Sequence, residues 1–274
     1  MCPRLFQIGP FTVYGYGLML ALGFIVGSYL LISEFKRRKL NPDIANNITL
    51  IALITGVAGS KILFLINDWP SFVRDPIGMA FNPAGLIFYG GFLLAAFSIY
   101  LYGRKKGISF FTIGDAIAPG MMLGYGIARL GCHLAGDGDY GFPTTLPWGT
   151  DYSNGTYPPS IAFRDFPEIT NRFPGGIVPN NIPCHPTPVY ELIICALMCW
   201  FLWSIRKKTK PVGKLFMIYL MLAGIERFAI EFLRPNPRIV LGLSEAQLIA
   251  LVLVAIGLFG WWKFITASTI STAK

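Results

Sequence analysis

The feature that most constrains the fold of this chain is a series of long apolar segments. Seven of them are long enough to cross the roughly 30 Å hydrocarbon layer of a bilayer as α-helices. Backbone polar groups inside a bilayer must be satisfied within the chain, so such segments form helices. The sequence therefore predicts an all-α polytopic membrane protein with seven transmembrane helices, at about Tyr14–Ser33, Asn46–Ile66, Ala84–Tyr102, Thr112–Cys132, Pro188–Ile205, Val212–Leu233 and Ser244–Phe264.

Composition supports a membrane protein and argues against nucleic-acid binding. Hydrophobic residues make up 54% of the chain, charged residues only 14%, and the mean hydropathy is +0.55. The formal charge of +9 comes from short basic clusters between the apolar segments. Such clusters are typical of loops that face anionic lipid, so we expect membrane lipid and no nucleic acid as a partner.

The distribution of lysine and arginine predicts the orientation. The links after the first, third and fifth predicted spans carry most of the basic residues, including Lys36–Lys39, Arg104–Lys106 and Arg206–Lys208. Cytoplasmic loops of membrane proteins carry an excess of these residues. The sequence thus predicts an amino terminus outside and a carboxyl terminus in the cytoplasm. The amino terminus lacks the pattern of a cleaved signal peptide, so we expect the first span to be retained.

One connection, residues 134–187, is much longer than the others. It is rich in Pro, Gly, Asn, Thr and Tyr, too polar to cross a membrane and too aromatic for a disordered tether. Long ordered loops of this kind are usually functional. We predict a small, loop-rich head on the outer face, inserted into a single seven-helix domain that covers residues 1–274.

A glycine-rich stretch, GYGIARLGCHLAGDGDYG, begins inside the fourth span and continues beyond it, and its Arg129 lies within the span. An arginine at membrane depth costs about 2.5–3.5 kcal/mol on insertion scales and usually faces the bundle interior or a watery cavity. Glycines let a ligand or another backbone approach closely. An alternative interpretation is a helix-packing glycine face, with Arg129 extending to the interface.

The sixth span ends with Arg227, Glu231 and Arg234, spaced i, i+4 and i+7. This spacing predicts one stripe of a helix, with an ion pair between Arg227 and Glu231. Alone, the pair indicates a structural salt bridge. Together with Arg129, however, it offers two planar guanidinium groups suited to binding a phosphate.

Four further candidates lie at or near the predicted spans. Tyr16 lies between glycines in the first span, and Lys61 is a cation in the second. Tyr89 precedes two glycines in the third span, and His185 lies just before the fifth. Histidine suits a general base, although at a helix entry it more often pins a loop. The pair Asp137 and Asp139 offers too few oxygens for calcium, so no metal is predicted. Pairing of Cys132 with Cys184 stays open, and the cysteines lack zinc-type spacing.

Five ordered motifs resemble the bacterial prolipoprotein diacylglyceryl transferases: YGYGLM, YGG, GIARLGCHLAGDGDYG, HPTPVYE and ERFAIEFLRPNP. The resemblance implies seven membrane helices with a periplasmic head, as a multi-pass protein of the bacterial inner membrane. It implies transfer of the diacylglyceryl group of phosphatidylglycerol to the lipobox cysteine thiol of a prolipoprotein signal peptide. Glycerol phosphate is released, and no cofactor takes part.

The resemblance also implies roles for individual residues. Arg129 matches the arginine that binds phosphatidylglycerol, and Arg227 matches a second arginine that acts in catalysis. Positions that match by motif also include Tyr16, Glu231 and Gly141. The family has an acidic residue in the turn that corresponds to GDGDYG, and the resemblance leaves open whether Asp137 or Asp139 matches it. The chain departs from the common pattern at Tyr89, where many members have histidine, at Cys132, where asparagine is common, and at Lys61, which replaces a frequent arginine.

We therefore expect catalysis by Arg129 and Arg227, with Tyr16 and Tyr89 as hydrogen-bond donors. Substrate binding is expected to use Arg129 together with Glu231, Arg234, Asp137, Gly141, Lys61 and His185. Two alternatives remain: a related enzyme with a different acceptor, and a seven-helix anion transporter. Transporters often contain related halves, and no internal repeat is evident in this sequence.

Overall fold

The computed structural model describes residues 1–9, 11–82 and 85–272, and this part of the chain is mostly helical. The helices are α1 (Gly15–Arg37), α2 (Pro42–Asn67), α3 (Trp69–Arg74), α4 (Pro76–Phe81), α5 (Phe88–Lys105), α6 (Phe110–Ala135), α7 (Pro159–Ala162), α8 (Pro167–Thr170), α9 (Thr187–Ile205), α10 (Lys214–Ile230) and α11 (Glu245–Thr272). Short strands form three antiparallel pairs: β1 (Arg4–Ile8) with β2 (Phe11–Tyr14), β3 (Thr150–Asp151) with β4 (Pro183–Cys184), and β5 (Arg238–Val240) with β6 (Leu243–Ser244).

A helix of at least 17 residues overlaps each of the seven predicted spans. Within the described residues, five helices are long and apolar enough to cross a membrane, namely α1, α2, α6, α9 and Glu245–Phe264 of α11. This confirms a polytopic membrane protein. The two other helices, α5 and α10, have 18 and 17 residues, so the count of seven and the orientation stay predictions. Ala84, the predicted start of the third span, lies outside the described residues.

The chain divides into two compact units, one of Met1–Leu30 with Ile117–Lys274 and one of Leu31–Ala116. In the second unit α2 packs along α5. Glycines bring these helices into backbone contact, because a Cβ added to Gly59 would collide with the carbonyl oxygen of Gly90. Small residues at such positions let membrane helices approach closely.

In the first unit, paired glycines join α1 to α6. A Cβ added to Gly23 would lie 2.9 Å from the carbonyl oxygen of Gly124, and one added to Gly120 would lie 2.9 Å from that of Gly27. Gly23 and Gly27 are four residues apart in α1, and Gly120 and Gly124 are four residues apart in α6. Each helix therefore presents a strip without side chains to the other. In the same unit α10 packs against α9 and α11.

The segment between α6 and α9 is folded around its own small hydrophobic core. Tyr140, Tyr152, Phe163, Ile169, Val178 and Cys184 are buried together. The rings of Tyr140 and Tyr152 stack with centroids 4.0 Å apart, and the hydroxyl of Tyr140 donates to the carbonyl of Tyr157 at 2.6 Å. Buried aromatic rings with satisfied polar ends make this segment ordered despite its short strands and helices.

The predicted helical stripe at the end of α10 is wrong beyond Glu231. The helix ends at Ile230, a 3₁₀ turn covers Glu231–Leu233, and Arg234 is extended with φ −106° and ψ 140°. Arg234 precedes Pro235, and the proline ring disfavours helical backbone at the residue before it. Arg234 therefore leaves the stripe and points elsewhere in the site.

Candidate anion-binding site

A buried carboxylate, Glu191 near the start of α9, connects two helices at the centre of the site. It is 0% exposed. Arg129 of α6 donates from Nε to Oε2 of Glu191 at 2.7 Å, and Tyr125, one turn earlier in α6, donates to Oε1 at 2.8 Å. The guanidinium of Arg129 is thereby fixed in position instead of extending to the interface.

Arg227 of α10 approaches the same carboxylate from a third helix. Its Nη1 lies 3.9 Å from Oε1 of Glu191, which is close enough for an ion pair but too long for a hydrogen bond. Its Nη2 lies 2.8 Å from Oε2 of Glu231, although the N–H is not aligned for a hydrogen bond. The predicted pair of Arg227 with Glu231 is present, and Glu191 places Arg227 and Arg129 on either side of one carboxylate.

Asp139 joins the remaining arginine to the site. One of its carboxylate oxygens accepts from Arg129 and the other from Arg234. Burial opposes the charge of this carboxylate, yet the guanidinium groups of Arg234 and Arg129 lower its pKa to about 2. Asp139, rather than Asp137, is thus the acid of the GDGD turn that pairs with the arginines.

Two guanidinium nitrogens in this cluster lack a hydrogen-bond partner among the described residues. Nη2 of Arg129 and Nη1 of Arg227 are buried and make no hydrogen bond with any described residue. Buried donors in native proteins are almost always satisfied, and each exception calls for an explanation, such as an absent ligand. Guanidinium donors favour carboxylate and phosphate oxygens, so the arrangement is suited to binding an anion.

Glu231 is held firmly by the chain that follows α10. Its Oε1 accepts from Asn236 at 2.6 Å and from the hydroxyl of Ser244 at 2.7 Å. Arg238 donates to the backbone carbonyl of Glu231 at 3.1 Å. The pair β5–β6 therefore orients the carboxylate that faces Arg227.

Gly141 fills a position where three segments meet. Its N–H donates to the carbonyl of His185 at 2.9 Å, and an added Cβ would lie 2.8 Å from Cγ2 of Thr187. His185 also donates from its backbone N–H to Phe142 at 3.0 Å, and its Nδ1 lies 3.4 Å from the hydroxyl of Tyr190. Burial lowers the pKa of the His185 imidazole. These contacts suit a histidine that pins the loop before α9.

The other predicted candidates lie in different places. The start of α1 packs on α6 near the site, since a Cβ added to Gly131 would lie 3.1 Å from Cα of Tyr16. Lys61 and Tyr89 belong to the unit Leu31–Ala116. There Lys61 donates to the carbonyl of Asn82 at 2.8 Å. Their participation in the site therefore stays a prediction.

The cysteines do not form the pairing that the sequence left open. Cys132 and Cys184 are both free and buried. Cys132 instead lies 3.6 Å from Nη1 of Arg129. Its sulfur and the carboxylates of Asp137 and Asp139 lie within 4.8 Å of one another, but the arginines already engage both oxygens of Asp139. Burial and the charge of Asp139 raise the pKa of Asp137.

The sequence analysis missed Glu191 and assigned no role to Tyr125. A signal for Glu191 was present, because an acidic residue at the start of an apolar helix is by default a candidate for a functional site. Its partner could not be inferred, since Arg129 and Glu191 are 62 positions apart.

Comparison with known proteins gives consistent matches along the chain. A family model described as prolipoprotein diacylglyceryl transferase matches residues 3–263. The phosphatidylglycerol–prolipoprotein diacylglyceryl transferase of Clostridium tetani is 34% identical over 260 residues, covering 94% of this chain and 96% of that protein. The proteins of that name from Dehalococcoides mccartyi strain 195 and, as transferase 2, from Clostridium perfringens are 33% and 30% identical. They cover 93% and 92% of this chain, and 90% of each relative is matched.

Proposed function

Since this chain belongs to the prolipoprotein diacylglyceryl transferase family, we propose that Arg129 and Arg227 together bind the phosphate of phosphatidylglycerol. The chain is a transferase of the first step of lipoprotein maturation. It moves a diacylglyceryl group to a prolipoprotein, and the family match does not favour an anion transporter or a different acceptor.

The observation that carries this proposal is the pair of unpartnered donors, Nη2 of Arg129 and Nη1 of Arg227. The two arginines come from different helices, and both side chains contact one fully buried carboxylate, Glu191, Arg129 through Nε and Arg227 through Nη1. A phosphate oxygen between them would satisfy both donors. Because Glu191, Glu231 and Asp139 already hold the guanidinium groups in place, little reorganisation is needed when the lipid binds.

The same two groups account for catalysis. The acceptor thiolate attacks the glycerol carbon next to the phosphate, and the carbon–oxygen bond to the phosphate breaks. The leaving phosphomonoester gains negative charge in the transition state, so nearby guanidinium donors stabilise it more than they stabilise the bound lipid. Arg234 acts through Asp139, and Tyr16, whose backbone packs on α6 near Arg129, donates a hydrogen bond to the substrate.

The proposed topology places this chemistry at the outer face of a bacterial inner membrane. In it, α5 and α10 also cross the bilayer, which gives seven spans with the amino terminus outside and the carboxyl terminus in the cytoplasm. The distribution of basic residues supports this orientation. Residues 134–187 form a periplasmic head beside the site, where a lipobox cysteine arrives on its signal peptide.

Replacement of Arg129 by lysine tests the proposal. Lysine keeps the charge but cannot offer the guanidinium fork. We expect transfer of diacylglyceryl from phosphatidylglycerol to a lipobox peptide to fall roughly ten- to a hundredfold, because a hydrogen bond to a charged group contributes about 1.5–3 kcal/mol. The measurement is thioether formation by the purified protein, followed by mass spectrometry.

Arg164→Lys is the matched control for this substitution. Arg164 lies in the head, its side chain is 73% exposed, and it pairs only loosely with its neighbour Asp165 at 3.4 Å. We expect wild-type transfer from this variant. Normal transfer by Arg129→Lys would show that the fork does not bind the phosphate.

A further inference from the structure

An open groove of about 410 Å³ lies between the end of α6, the start of α9 and the head segment. Its walls include Trp148 and Thr150 of the head and Val189, Tyr190 and Ile193 of α9. Trp148 donates from Nε1 to the hydroxyl of Tyr190 at 2.7 Å, so the polar ends of these two rings satisfy each other. The groove is therefore preformed and mainly apolar, which suits apolar side chains of a bound peptide.

The groove lies next to the guanidinium cluster. Its wall on α6 is His133, four residues after Arg129, and residues with this spacing are about 5–6 Å apart on one face of a helix. Its wall on α9 includes Tyr190, the residue before Glu191. A peptide in the groove would thus present a side chain beside a phosphate held by Arg129.

His133 lines this groove with its imidazole ring. Its Nδ1 lies 3.0 Å from the hydroxyl of the fully buried Tyr152, and the two rings meet edge to face. This contact fixes the ring. In the tautomer with the proton on Nδ1, the Nδ1–H group donates a hydrogen bond to the Tyr152 hydroxyl. Nε2 then keeps its lone pair and can accept a proton. No hydrogen bond from a described residue occupies Nε2.

We propose that the groove receives the residues around the acceptor cysteine and that Nε2 of His133 accepts the proton of its thiol. This inference rests on the proposed transfer reaction. The S–H bond breaks, its proton moves to Nε2, and the resulting thiolate forms the carbon–sulfur bond. The carbon–oxygen bond to the phosphate breaks, and its electron pair leaves with the glycerol phosphate held by Arg129 and Arg227. The proton then passes from His133 to that product or to water.

Several titratable groups face His133 from the elements packed around it. The hydroxyl of Tyr152, from the head, contacts Nδ1, Tyr190 of α9 lines the same groove, and Arg129 lies one turn earlier in α6. The α-amino group of Met1 acts on it as a nearby positive charge. A neutral imidazole suits these surroundings, and a neutral imidazole is the form that can accept a proton.

The test compares cysteine and selenocysteine acceptor peptides with the purified His133→Asn variant. With the cysteine peptide at pH 7, we expect transfer to fall about a hundredfold or more, the usual contribution of a general base. The deficit should shrink as the pH approaches about 8.5, where a free thiol ionises without help. A selenol is ionised at neutral pH, so transfer to the selenocysteine peptide should approach the wild-type rate.

Two outcomes would overturn the role of His133: normal transfer to cysteine by the variant, or a deficit that is the same for both peptides at every pH. The second outcome would indicate a structural effect. Failure of the proposed function is distinguishable, because the wild-type protein would then form neither thioether nor selenoether. Arg129→Lys should lose transfer to both peptides, since phosphate binding does not depend on the acceptor.

The position of the peptide is tested separately by filling the groove with Val189→Trp. We expect the KM for the acceptor peptide to rise several-fold, with the KM for phosphatidylglycerol unchanged. Leu197→Trp is the matched control, because Leu197 lies two turns further along α9 and is 61% exposed. An equal KM for the peptide in both variants would contradict the assignment of the groove.

Discussion

At the scale of single residues, the site depends on carboxylates that hold arginines in place. Arg129, for example, contacts two carboxylates, Glu191 through Nε and Asp139 through Nη1. Each carboxylate removes freedom from a long side chain, so only a subset of guanidinium N–H groups is left to meet a ligand. We therefore propose that Glu191 and Asp139 position the arginines, and that only Arg129 and Arg227 contact the phosphate.

The paired state of Asp139 predicts a dependence of stability on pH. Its pKa is about 2 in the folded protein, below the usual 3.9 of an unfolded chain. A carboxyl with a lowered folded pKa stabilises the fold fully above its unfolded pKa, and this contribution is lost as the pH falls toward 2. We expect the difference in Tm between wild type and Asp139→Asn, measured in detergent, to be constant from pH 7 to 5 and to shrink below pH 4.

The contrary result would be a difference in Tm that does not change between pH 7 and pH 3. Such a result would mean that the charge of Asp139 does not contribute to stability. Asp165→Asn provides the control, because Asp165 is 79% exposed and pairs only with Arg164 among the described residues. Exposed ion pairs contribute little, so its Tm should follow the wild type at every pH.

Residue patterns predicted part of the site and left out its long-range contacts. The spacing of Arg227 and Glu231 was enough to predict their ion pair, because residues four positions apart lie next to each other on a helix. The contact of Arg129 with Glu191 depends on how α6 meets α9, and the choice between Asp137 and Asp139 depends on where Arg234 points. Neither fact is encoded in local spacing.

At the scale of helices, the glycine strips decide how closely α1 and α6 pack. We expect Gly23→Ala to lower the free energy of unfolding by about 1–3 kcal/mol, because its Cβ would lie 2.9 Å from a backbone oxygen of α6 that cannot move alone. Gly17→Ala in the same helix meets nothing within 4 Å, so its stability should be unchanged or slightly higher. Thermal unfolding in detergent measures both, and equal stability of the two variants would argue against the close contact.

Helix positions were predictable from hydropathy because membrane helices need long apolar segments, and five of the seven were confirmed as long apolar helices. The end of α10 was not predicted, since the apolar pattern continues through Leu233 while the backbone leaves the α-helix after Ile230. Pro235 was the local signal, and it outweighs the spacing of the charged residues. The small core of the head was not predicted either, because its buried residues are scattered from Tyr140 to Cys184.

At the scale of the whole molecule, the proposed lipid-binding cluster and the proposed peptide groove lie in one unit of the chain. The cluster uses α6, α9 and α10, and the groove uses α6, α9 and the head. Sharing two helices brings the phosphate of the lipid and the thiol of the acceptor together without a mobile intermediate. The family assignment supplies both substrates, and the geometry supplies a reason for their proximity.

The most direct test of the central claim is an experimental structure of the protein with phosphatidylglycerol or glycerol phosphate bound. The account predicts one phosphate between Nη2 of Arg129 and Nη1 of Arg227, with oxygens about 2.7–2.9 Å from each nitrogen. A phosphate bound elsewhere, with both nitrogens still unpartnered, would contradict it.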